Sequence, residues 1–100
     1  MRLINQSGRV DIPYEHCSIM YNKDSKTIVA HDYSTHDSVV MGCYSSNQRC
    51  EKALEKMRAA YAGRVNNCEK AKIEFQKFDI PGYFKFPQDG DVFDENDILS

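Results

Sequence analysis

One hundred residues with a formal charge of −2 describe one small domain. The near-neutral balance excludes the whole-molecule basic signature of a duplex nucleic-acid binder. No uncharged run approaches the ~20 apolar residues that cross a bilayer, and a chain this short buries only roughly two-thirds of its unfolded surface. A large core and a deep catalytic cleft do not fit together in it, so oligomerisation is the expected route to more buried area.

Residues 2–5 and 10–14 read as two strands turning about Ser7-Gly8, where glycine supplies the positive φ of a tight hairpin. Pro13 lacks an N–H and belongs on a sheet edge or at a bulge. Residues 17–21 alternate, with Cys17, Ile19 and Tyr21 on one face and Ser18 and Met20 on the other. Asn22-Lys23-Asp24-Ser25 is a turn, residues 27–30 begin the next strand, and residues 32–38 form a polar loop. Residues 38–44 return as a strand around the β-branched pair Val39-Val40. The first 45 residues thus predict a meander of about five short strands.

The period then changes. Cys50, Ala53, Leu54, Met57, Ala60 and Tyr61 recur at three- and four-residue spacing, the apolar stripe of a helix. Ser46 or Asn47 can cap its start. Gly63 interrupts the stripe, which Val65, Cys68, Lys72, Phe75 and Phe78 continue. One bent helix or two helices are expected up to the stop at Pro81-Gly82. Tyr83-Phe84-Lys85-Phe86 alternates and predicts a last strand. The fold class is therefore α+β: a small antiparallel meander, one bent or two C-terminal helices, and a final short strand. Residues 1–88 form the domain and residues 89–100 an acidic, flexible tail. Charge follows this division, with a net −1 over residues 1–45, +4 over 46–78 and −5 over 79–100.

The start shows neither a charged n-region nor an apolar signal core, so the cytosol is the expected address. Four cysteines without a secretion signal point to reduced thiols. None forms a C-x-x-C pair, and Cys17, Cys43, Cys50 and Cys68 all read as apolar-environment residues. His16, His31 and His36 lack the spacing of a zinc site. Asp89-Gly-Asp91 lacks the spacing of a calcium loop. Phosphate-binding and nucleophile-elbow glycine motifs are missing from the sequence. The expectation is a binding protein, not an enzyme, with no cofactor and no metal. Arg58 stands out among the helix cations: it follows Met57 at the margin of the stripe, near Tyr61, where a guanidinium can meet a phosphate. Phe84 and Phe86 share a strand face on which a base could stack.

Several short motifs carry a resemblance. Met1-Arg-Leu-Ile, Gly8, Asp11-Ile-Pro-Tyr-Glu15, Tyr44-Ser45-Ser46, Ala53-Leu54, Met57-Arg58-Ala59-Ala60-Tyr61 and Phe84-Lys85-Phe86-Pro87 resemble, in this order, a family of small proteins from phages and prophages of Gram-positive bacteria. The likeness covers most of residues 1–88. The architecture is also similar to the phage sponge that counters Thoeris defence. That resemblance implies an oligomeric anti-defence protein of the host-cell cytoplasm that sequesters a cyclic-nucleotide immune signal without cleaving it. Arg58, Tyr61, Phe84 and Phe86 are the implied ligand residues. Arg9 stands where the family carries an acid, and residues 64–78 are unusually long and basic. The alternatives are a protein–protein inhibitor of a host defence complex, of the anti-CRISPR kind, with its acidic tail in a basic channel, and a structural or regulatory phage accessory protein.

Overall fold

A computed structural model describes residues 1–66 and 80–93 of the chain. The architecture is α+β. Strands β1 (Arg2–Ile4) and β2 (Asp11–Pro13) form the expected hairpin, with Leu3 opposite Ile12. Gly8 takes φ +78° in its turn. Asn5, nearly buried, organises that turn: its Oδ1 accepts from the Ser7 hydroxyl at 3.0 Å and from the N–H groups of Arg9 and Val10 at 3.1 and 3.2 Å. An asparagine carboxamide thus takes up donors that a turn otherwise leaves to water.

A single 3-10 turn, Tyr14–His16, then redirects the chain. Strands β3 (Cys17–Asn22), β4 (Thr27–Asp32) and β5 (Ser38–Cys43) follow as a second sheet, antiparallel throughout. The five strands therefore do not make one meander as expected from the sequence. The first two leave it and pair with β6 (Tyr83–Lys85), giving the order β2–β1–β6 beside β3–β4–β5. Pro13 sits on the edge strand β2, where its missing N–H costs no ladder bond. β6 runs parallel to β1, with Leu3 opposite Phe84.

The helix, α1 (Asn47–Asn66), buries Cys50, Ala53, Leu54 and Met57, the stripe read from spacing. Ser46 caps it, its hydroxyl accepting from Arg49 N–H at 3.2 Å. It passes through Gly63 without ending. The bent continuation or second helix expected up to Phe78 lies outside the described residues. No helix among the described residues is long and apolar enough to cross a membrane.

One core joins the three units: Leu3 and Ile12 from one sheet, Ile28, Ala30 and Met41 from the other, and the α1 stripe between them, closed by Phe86 and Val92. Side chains of this size each contribute about 1.5–3 kcal/mol on full burial. Val92 is 0 % exposed. The acidic segment expected to be loose from residue 89 is therefore packed down at least to that point. Asp89 Oδ1 accepts from Ser45 N–H at 2.8 Å, and Arg49 binds the Asp89 carbonyl while its guanidinium lies 5.9 Å from the centre of the Phe93 ring.

Gln6 ties the two sheets together. Its carboxamide accepts from Cys43 N–H at 2.7 Å and donates to Cys43 O at 3.2 Å and Pro87 O at 3.0 Å. Its backbone N–H donates to Met41 O at 2.9 Å. A side chain here imitates the pairing of a strand and covers the outer edge of β5, the kind of edge that otherwise recruits other chains.

Candidate functional site

The residues expected to form a ligand site fall on two elements, α1 and β6. The buried side of α1 is fixed by Cys50, Ala53, Leu54 and Met57, so Arg58 comes out on the flank and is exposed. One turn on, Tyr61 is half-buried and packs against Tyr14, ring centres 4.4 Å apart and planes tilted by 34°. Tyr14 is held in turn by its N–H, which donates to Met1 O at 2.8 Å. The hairpin named in the resemblance and the helix motif that ends in Tyr61 therefore meet.

Phe84 and Phe86 do share a face of the last strand, but that face is the core. Phe86 is 0 % exposed, and its ring meets the half-buried Phe84 edge-on at 5.3 Å. This corrects the expectation for Phe86: it cannot present a face to a base without leaving the core, and it serves as the wall behind Phe84. The alternation in Tyr83-Phe84-Lys85-Phe86 showed that the two rings lie together. It carried no sign of which side was inward.

Arg64 is the residue that sequence reasoning missed. It reaches across to β6 and donates to Tyr83 O at 2.8 Å, with a second bond to Ala60 O at 3.1 Å. Gly82, at φ +98°, brings the backbone so close to this guanidinium that a Cβ would collide with it. Its position three residues after Tyr61, still on the stripe, was the available signal. Arg58, Tyr61 and Arg64 thus form a ridge whose last member is fixed to the strand that carries Phe84.

Glu15 is committed to structure. Its Oε1 accepts from the Met1 ammonium at 2.5 Å and from Ile80 N–H at 3.1 Å. Cys17 is buried, and burial, with Asp32 and Glu15 adding, pushes its thiol up to about 11. It stays protonated at neutral pH and is a poor nucleophile there. Burial likewise pushes the Cys50 thiol up. Cys43 departs from expectation: it is exposed. The register shift between Ile28 and Val29 changes the phase of β5, so Met41 and Gly42 both turn inward and Cys43 turns out. Cys68 lies outside the described residues. Among the described residues, no three histidine, cysteine or acidic side chains are grouped to hold a metal ion.

An open groove of about 450 Å³ lies elsewhere, on the solvent face of β3–β4–β5, lined by Met20, Tyr21, Asn22, Lys23, Val29 and Ser38. Compared with family models, with curated proteins and with solved structures, the chain gives no match in any of the three.

Proposed function

We infer that the chain works by binding, and that it is a phage-encoded anti-defence protein that sequesters a cyclic-nucleotide signal without turning it over. The observation that carries this reading is the placement of Arg58: an exposed guanidinium on the flank of α1, one turn from the Tyr61–Tyr14 ring pair. A planar fork beside an aromatic surface suits a phosphate attached to a base. In this reading Arg58 meets the phosphate, Tyr61 and Phe84 supply ring surface, and Phe86 backs Phe84. The motif resemblance supplies the biological class, and the ligand lies at an edge between subunits.

The rival reading, inhibition of a host defence complex by an acidic decoy tail, is less well supported. Asp89 is already engaged by Ser45 and Arg49 within the body.

The test is a panel of cyclic nucleotides followed by thermal unfolding. A ligand that binds only the native state at a hundred times its Kd adds about 2.7 kcal/mol of stability. The expected outcome is such a shift for one nucleotide, lost in Arg58→Ala, with the nucleotide recovered intact after denaturation. No shift across the panel overturns the reading.

A further inference from the structure

The solvent face of β3–β4–β5 carries a row of apolar side chains. Side chains alternate along each strand, so Ile19, Ile28, Ala30 and Val39 turn towards the core. Met20, Val29 and Val40, aligned across the three strands, turn away from it. Met20 and Val40 are each 48 % exposed, and Val29 lies between them. Ser18, Asn22, Thr27, His31, Ser38 and Cys43 complete the face, on which the alternation places no carboxylate, lysine or arginine. A neutral face with an apolar row at its centre and an open groove beside it is the composition of an interface core.

Charge is confined to the two ends. The β3–β4 turn carries Lys23, Asp24 and Lys26, a net +1, and Lys23 lines the groove. The opposite end, the β4–β5 loop, carries Asp37, while Asp32, paired with Cys17 at the end of β4, falls by the same alternation on the core side. One end is cationic and the other anionic, with a neutral strip between.

We propose that this face binds a second copy of the same chain, sheet against sheet, about a two-fold axis lying between the faces and perpendicular to the strands. That axis sets the Met20–Val29–Val40 row of one copy on its counterpart. It also sets the Lys23/Lys26 end of each copy over the Asp37 end of the other. An axis along the strands would put like charge on like, and a face with a single sign of charge would repel itself. The pattern is therefore self-complementary in the way a two-fold interface requires. The edge of β5 is covered by Gln6, which blocks strand-to-strand growth there. At ~3.3 Å per residue and ~4.8 Å between strands the face measures about 20 by 14 Å. That is about 280 Å² per copy, below the area of a stable specific interface, so the association expected is a weak and transient one.

The inference does not depend on the cyclic-nucleotide reading, because the face points away from α1. The experiment is sedimentation velocity of the full chain from about 1 to about 300 µM. Dimer is expected to appear across this range. Met20→Glu is expected to weaken association at least about tenfold while leaving the melting temperature of the monomer unchanged. Lys23→Glu and Asp37→Lys are each expected to weaken it, and the two together to restore it. Three results overturn the proposal: a monomer at every concentration, a dimer indifferent to Met20→Glu (association by another surface, such as the edge of β3), or a double variant no better than the singles. Capture of a different protein by this face with the chain itself remaining monomeric counts among them.

Discussion

The two sheets are built in opposite ways. β3–β4–β5 is made of neighbours: each strand pairs with the next across a short turn, and one face is left to solvent. β2–β1–β6 is made of the chain's distant parts: β1 pairs with residues 83–85 in parallel, and its core face is sealed by α1, Phe86 and Val92. The local sheet gets its order from alternation and turn chemistry. The non-local one gets it from side chains that bridge segments, above all Phe86, Gln6 and Arg64. Stability should therefore be concentrated where the chain closes on itself.

The largest expected effect comes from Phe86→Ala, which removes a wholly buried ring at that closure and is expected to cost about 3–5 kcal/mol. Urea unfolding measures the loss. Amide hydrogen exchange sharpens the comparison: because one core is shared, β3–β5 should lose protection together with β1 and β2. Persistent protection of β3–β5 alone would break the molecule into two independent units.

Gln6→Ala is next. It strips partners from both backbone groups of Cys43 and from Pro87 O, and a loss of about 2 kcal/mol is expected. Because the substitution also uncovers the edge of β5, the variant should aggregate more readily on heating, read by light scattering. An unchanged midpoint would show that water replaces the carboxamide without cost.

The smallest effect concerns Asp89. The Ser45 N–H holds its carboxyl below the usual range. A depressed carboxylate adds stability above its unfolded pKa of ~3.9, and that stability is lost as pH falls through the lower folded value. Wild type should thus exceed Asp89→Asn at neutral pH, and the difference should vanish once the pH has fallen through the lowered folded value. A difference that persists in acid would trace the effect to shape instead of charge.

How much of this was legible in the sequence follows the same divide. The helix stripe, the Ser46 cap, the Asn22 turn and the first hairpin were legible because each is a local pattern with a local cause. The β1–β6 pairing was not, since two strands some eighty residues apart share no periodicity that marks them as partners. Cys43 was misjudged because a single-residue phase change in β5 reverses every side chain after it. In the candidate site, Arg58 and Tyr61 were legible from the margin of the stripe. The inward turn of Phe86 and the reach of Arg64 to Tyr83 depend on a strand whose neighbour the sequence does not name.

The parallel pairing of β1 with β6 also has a mechanical meaning. Tension applied at Met1 and beyond Phe86 pulls two parallel strands along their length in opposite directions. The bonds from Arg2 N–H to Gly82 O and from Phe86 N–H to Ile4 O, each 2.9 Å, then bear load side by side in shear and do not open one after another as in a zipper. The two ends of the domain are thereby clasped, and a pull transmitted through them meets its stiffest resistance at the first strand of the chain.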